Sequence, residues 1–136
     1  TLGADINGSM GTVPGLDPSN PAASAMAKIG EAGGFAGGDA FVGESYDAAA
    51  LMLLAMASAK SSDPQVYKDH IMKVANGPGQ EIYPGELAKG IKLASYGVAI
   101  DYVGASSVSL IGPGEAAGNF REIEIQNGKM VDVNYR

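Results

Sequence analysis

The strongest helix signal in the chain is the stretch ESYDAAALMLLAMASA, which covers residues 44–59. From Ala48 to Ala59 nearly every residue is apolar, and a helix that is apolar on all sides is typically packed between other elements. A run of roughly 12–14 residues is too short to cross a bilayer, which needs about 20. We therefore predict a buried helix here, with Asp47 in its first turn, where the helix dipole favours negative charge.

The residues just before this helix form a candidate ligand site. Ala40 to Gly43 predicts a short buried strand, so the segment is a strand-to-helix junction, where open α/β sheets place ligands. Phe41 and Tyr46 would provide apolar walls, and Glu44 could accept hydrogen bonds from an amine. Alternatively, Ser45 or Asp47 merely caps the helix, and the two aromatic side chains fill the core.

Start and stop signals in the sequence predict three further helices. Asn20-Pro21 opens a helix that ends near Gly33-Gly34, because an Asx cap followed by proline is a favourable helix start. Asp63-Pro64 opens another, which Asn76-Gly77 ends. A shorter helix, Leu87–Ser95, follows Pro84-Gly85-Glu86 and ends at Gly97.

Strands are predicted at both ends of the chain. Met10 to Val13 forms one, and residues 100–103 and 107–111 form two more, with a turn at residues 112–114. Residues 120–125 and 130–133 alternate around Asn127-Gly128, the pattern of a β-hairpin with a type I′ turn. The order of elements predicts an α/β fold, part of whose sheet lies outside this chain.

Composition excludes several classes of protein. The 136 residues fit one domain, and nine basic against fifteen acidic residues give a net charge of −6, which disfavours nucleic acid as a partner. The absence of cysteine excludes disulfides and thiolate zinc sites. With a single histidine and no nucleotide-binding motif, we expect no metal and no cofactor.

Catalytic candidates are few. His70 lies on the apolar face of its helix, which favours a structural role over that of a catalytic base. Carboxylate pairs for acid–base chemistry are conceivable among Glu44, Asp47, Glu81 and Glu86, but no spacing selects one pair. We therefore expect a protein that is not an enzyme.

Five segments together resemble one known family. They are MGTVP (10–14), ESYDAA (44–49), YPGELAKG (83–90), IDYVGAS (100–106) and the hairpin at 120–133. In this order and spacing they are similar to the extracellular ligand-binding receptors, the solute-binding proteins of branched-chain amino-acid ABC transporters. Two departures are Ser107, where the family usually has glycine, and residues 112–115, which replace its Asp/Asn-Gly turn.

The resemblance implies the C-terminal portion of a two-lobed type I periplasmic binding protein, since it covers about the last third of a typical member. Residues 1–15 and about 104–136 would belong to the C-terminal lobe, and about 16–103 to the hinge and the helices of the N-terminal lobe. Ligand would bind in the interlobe cleft and close it by a hinge motion, and the closed form would dock on a membrane permease without itself spanning the membrane.

The family's cleft residues correspond to Phe41, Gly43, Glu44, Ser45 and Tyr46. The resemblance further implies an amino acid or analogue as ligand and a periplasmic, or extracellular and membrane-tethered, location. The same fold also serves as a ligand-sensing receptor or regulatory domain, which is the alternative function. A small hydrolase that uses His70 and an acid is a third hypothesis.

Overall fold

A computed structural model describes residues 6–112 and 115–135 of the chain. These residues form four helices, Pro21–Gly33 (α1), Val42–Ala59 (α2), Pro64–Ala75 (α3) and Leu87–Ser95 (α4). They also form seven strands: Met10–Pro14 (β1), Gln80–Ile82 (β2), Ile100–Tyr102 (β3), Ser109–Gly112 (β4), Glu115–Ala117 (β5), Phe120–Gln126 (β6) and Lys129–Tyr135 (β7). The expected mixed α/β class is confirmed.

The predicted cap residues begin two of the helices. The Asn20 side chain accepts a hydrogen bond from the Ala22 N–H at 2.9 Å, and Asp63 accepts one from the Gln65 N–H, also at 2.9 Å. Each satisfies an N–H that has no partner within its helix. Gly34 ends α1 in the left-handed conformation, with φ of 75°. α4 has the predicted bounds, Leu87–Ser95.

The predicted strand at 40–43 is wrong. Phe41 has a φ of 67°, in the left-handed region, which no strand residue adopts. The Val42 N–H donates to the Asp39 carbonyl at 3.2 Å, and the Ser45 N–H donates to the Phe41 carbonyl at 3.0 Å. The chain therefore turns at Phe41 and is helical from Val42 onward.

Two expectations for α2 also need correction. The helix is not buried on all sides, because Met52 and Leu53 are 43% and 45% exposed, while Leu51 and Leu54 face the core. Asp47 lies in the second turn of α2, because the helix begins at Val42, and it is buried. The carboxylate therefore does not act through the helix dipole at the amino end of the helix.

The strands form three small sheets. The first has the order β1-β6-β7, with β6 antiparallel to both neighbours. Asn127 and Gly128 have φ values of 52° and 75°, as the predicted type I′ turn requires, so the hairpin is confirmed. β1 pairs with β6, so both ends of the chain share this sheet, and the assignment of these ends to one lobe stays a prediction.

The other two sheets have two strands each. β2, which the sequence did not predict, pairs in parallel with β3, and α4 forms the crossover between them. β4 pairs with β5 in an antiparallel arrangement. The predicted strand at 107–111 begins later, at Ser109. Of the predicted turn at 112–114, residues 113 and 114 lie outside the described part of the chain.

The core lies between α2, α3, α4 and the β2–β3 sheet. Its largest fully buried members include Leu54, Val74, Ile82 and Tyr102. Gly90 of α4 allows close packing, because a Cβ there would lie 2.7 Å from a methyl group of Leu54. α2 therefore contributes the side chains of Leu51 and Leu54 to the centre of the molecule.

Asn20→Ala should destabilise the protein more than Asp63→Ala does. Both changes remove an N-cap, worth about 1 kcal/mol. Asn20 also donates to the Gly104 carbonyl at 3.1 Å and to the Ser107 hydroxyl at 2.8 Å, and each such bond is worth about 0.5–1.5 kcal/mol. Urea denaturation should give a loss of about 2–4 kcal/mol for Asn20→Ala, and equal losses for the two variants would contradict this.

Candidate functional site

A buried carboxylate, Asp47 of α2, fixes the chain segment that follows β3. It is 1% exposed. Its Oδ1 accepts hydrogen bonds from the Tyr102 hydroxyl at 2.7 Å and the Ala105 N–H at 3.0 Å. Its Oδ2 accepts from the Ser106 N–H at 2.8 Å and the Ser106 hydroxyl at 2.6 Å. Four donors thus compensate the burial of this group, which would otherwise be costly.

The Tyr102 hydroxyl lies in a buried environment beside the negative charge of Asp47. Burial, followed by the nearby charge and hydrogen bond of Asp47, raises the pKa of the Tyr102 hydroxyl well above its ordinary value. An ionised phenolate would lose its hydration and would face a carboxylate at close range. Tyr102 therefore stays a hydrogen-bond donor to Asp47 throughout the physiological range.

Gly104 makes the close approach of this segment to α2 possible. A Cβ at Gly104 would lie 2.5 Å from Asp47 Oδ2 and 2.7 Å from a methyl group of Val108. The Gly104 carbonyl and the Ser107 hydroxyl both accept hydrogen bonds from the Asn20 side chain. Ser107 itself has a φ of 54°, a left-handed conformation that glycine adopts more easily than serine.

Beside this network lies a cavity of about 360 Å³. Its walls are predominantly apolar. One wall is the amino-terminal half of α2 with Phe41, and it includes Ala48 and Leu51. A second wall comes from Val108 in the segment after β3, from Leu110 of β4 and from residues 116–120, and Pro14 of β1 also lines the cavity. A volume of this size falls within the range of small-molecule sites.

Two of the five predicted site residues line this cavity. Phe41 is 62% exposed, and its left-handed backbone precedes the first turn of α2. Glu44 lies in that first turn, partly buried. Within the described residues, the Glu44 carboxylate makes no hydrogen bond or ion pair. It is therefore available to a ligand.

The other three predicted residues point elsewhere. Gly43 is buried against Leu16 and Ala105, and a Cβ there would lie 2.5 Å from a methyl group of Leu16. The Tyr46 hydroxyl accepts a hydrogen bond from the Gly85 N–H at 3.0 Å, and its ring packs on the core. Ser45 is exposed and does not line the cavity.

Sequence reasoning missed most of the cavity. Asp47 was weighed as a cap or as half of a carboxylate pair, but its four donors lie more than 50 residues away in sequence. The wall formed by residues 116–120 carries no motif. The alternating pattern of the strand that Phe120 begins does not indicate that its ring is 46% exposed.

Three of the five catalytic candidates, His70, Glu81 and Glu86, do not line this cavity. His70 accepts or donates a hydrogen bond with the Ser58 hydroxyl at 2.9 Å and so links α3 to α2. Glu81 accepts a hydrogen bond from the Tyr83 hydroxyl at 2.8 Å, which is the main cause of a raised Tyr83 pKa. Glu86 pairs with Lys89 at 3.1 Å. Of the four weighed carboxylates, Glu44 and Asp47 share the cavity wall.

The described residues contain neither a group of side chains suited to a metal ion nor a helix that could cross a membrane. Within residues 6–112 and 115–135, no three histidine, aspartate or glutamate side chains are grouped so as to hold a metal ion. In the same part of the chain, α2 and the shorter helices all fall short of the length and apolar character that a membrane crossing needs.

Among models of protein families, curated proteins and solved structures, none matches this chain significantly.

The Tyr102→Phe substitution should destabilise the protein less at high pH than at neutral pH. Below about pH 10 both the folded and the unfolded wild type keep the Tyr102 proton, so the Tyr102–Asp47 hydrogen bond makes its full contribution to the free energy of unfolding. Above that pH the unfolded chain loses the proton while the folded protein keeps it. The contribution then falls by about 1.4 kcal/mol per pH unit. Urea denaturation of both proteins at pH 8, 10 and 11 tests this, and a constant difference would count against it.

Gly104→Ala should be strongly destabilising, whereas Gly38→Ala should not. The new Cβ at position 104 would collide with Asp47 and Val108, and the cost of such overpacking is about 1–3 kcal/mol. A Cβ at Gly38 meets nothing within 4 Å, so alanine there should be neutral or stabilise by about 0.4–1 kcal/mol. Thermal unfolding of the two variants measures both effects, and similar melting temperatures would show that the Gly104 contact is unimportant.

Proposed function

We propose that this chain is part of the solute-binding component of an ABC importer and binds an amino acid or a related small molecule. The observation that carries the proposal is the apolar cavity of about 360 Å³ at the amino end of α2. Phe41 and Glu44, two residues that the family resemblance assigns to the cleft, lie in its wall. Such a site, with apolar walls and few polar groups, is typical of small-molecule binding.

The cavity lies between separate parts of the chain, as the proposed hinge closure requires. One wall belongs to α2, and a second belongs to the segment after β3, to β4 and to residues 116–120. These walls come from separate parts of the chain, joined at the Asp47 network. A ligand that contacts both walls would hold them together, which is the energetic basis of hinge closure.

The proposed fold assignment is the C-terminal portion of a type I periplasmic binding protein. The described fold supplies a parallel β2–α4–β3 unit and a β1-β6-β7 sheet that unites both ends of the chain. A two-stranded parallel sheet is seldom found alone, because parallel strands are normally buried within larger sheets. Further strands from a longer protein would extend the β2–β3 sheet and cover its edges. We propose that this protein lies in the periplasm or is tethered outside the cell, and that its partner is a membrane permease.

Ala48→Leu should weaken ligand binding, whereas Ala49→Leu should not. Ala48 lines the cavity and Ala49, its neighbour on α2, does not, although both are exposed. The helix propensities of the two variants are matched, so stability should change little in either. Calorimetric titration with a panel of apolar amino acids and their analogues measures the affinities.

Two results of this titration would contradict the proposal. If no compound of the panel binds the wild-type chain, the proposed function is wrong. If Ala48→Leu and Ala49→Leu bind the ligand equally well, the ligand occupies another site.

A further inference from the structure

The charged residues that line the cavity are all acidic. Glu44 and Asp47 both contribute to its wall, and none of its described lining residues is Lys or Arg. The donors that surround Asp47 are hydroxyl and backbone N–H groups, which carry no formal charge. Neither carboxylate is therefore neutralised by a basic side chain within the described residues.

The amino end of α2 reduces this negative potential but does not reverse it. A helix amino terminus carries roughly half a positive elementary charge, and it acts within the first turn. Glu44 occupies that turn and supplies the negative charge that the helix end favours. Asp47 lies one turn further along, so the cavity keeps a negative balance.

Aromatic rings add to the preference for a cation. Phe41 and Phe120 both line the cavity, and they are 62% and 46% exposed. The face of an aromatic ring attracts a cation, with a gain of about 0.5–1 kcal/mol at exposed sites. Exposed phenylalanine side chains also cover the apolar part of a ligand.

We infer that the cavity selects an organic ammonium ion with an apolar body and disfavours the corresponding zwitterionic amino acid. This inference rests on the proposed function and narrows its ligand class. An ammonium group would meet Glu44 and the aromatic faces, while the apolar part would contact Ala48, Leu51 and Val108. A ligand carboxylate would find no basic partner among the described lining residues, and it would lie near two carboxylates.

The test compares four compounds that share one apolar group. They are 2-phenylethylammonium, its neutral analogue 2-phenylethanol, zwitterionic phenylalanine and anionic 3-phenylpropionate. Binding to the whole chain is followed by methyl NMR titration at pH 7. The ammonium compound should bind about fivefold or more tightly than the alcohol, and the alcohol more tightly than the two carboxylates. Added salt should weaken binding of the ammonium compound and leave the alcohol unaffected.

Glu44→Gln and Glu31→Gln form the matched pair of variants. Glu31 lies on α1, is exposed and does not line the cavity. Glu44→Gln should weaken binding of the ammonium compound about three- to fivefold, and it should change the affinity for 2-phenylethanol by a smaller factor, because the alcohol carries no charge. Glu31→Gln should change neither affinity.

The outcomes separate this inference from the proposed function. If phenylalanine or 3-phenylpropionate binds as tightly as the ammonium compound, the inference is overturned and small-molecule binding stands. It is also overturned if Glu44→Gln and Glu31→Gln behave alike. If none of the four compounds binds, the inference is overturned, and the titration with the amino-acid panel decides the proposed function separately.

Discussion

The buried carboxylate of Asp47 is the constraint on which the rest of the site depends. A group that is 1% exposed needs hydrogen-bond partners, and all four come from Tyr102, Ala105 and Ser106. Together they attach the end of β3 to α2, and the Asn20 bonds to Gly104 and Ser107 attach the start of α1 to the same segment. The cavity lies where this segment leaves α2, so its shape follows from the Asp47 network.

Local signals in the sequence predicted most of the elements, because they act within a few residues. Asn20 and Asp63 satisfy free N–H groups of their own helices, and Asn127-Gly128 favours a type I′ turn through its own backbone preferences. The strand predicted at 40–43 failed because Phe41 takes a left-handed conformation, which its apolar neighbours do not indicate. β2 was missed because a three-residue strand depends on pairing with β3.

The site was predicted only in part, for a similar reason. Phe41 and Glu44 could be proposed from the sequence because they flank a helix start, and both line the cavity. Gly43 and Tyr46 were assigned to the same surface, but Gly43 packs against Leu16 and the Tyr46 hydroxyl bonds to the Gly85 N–H. The wall formed by residues 116–120 meets α2 only through tertiary contacts, which periodicity and turn signals do not encode.

Amide hydrogen exchange at Ala105 and Ser106 tests the role of Asp47 most directly. Both N–H groups lie in a segment without regular secondary structure, so without the carboxylate they would exchange as a loop does. Protection close to that of Val103, whose N–H donates to the Ile82 carbonyl at 2.9 Å, is the expected result. Exchange at Ala105 and Ser106 as fast as at the exposed Gly38 would show that Asp47 does not hold this segment, and the structural basis of the site would be wrong.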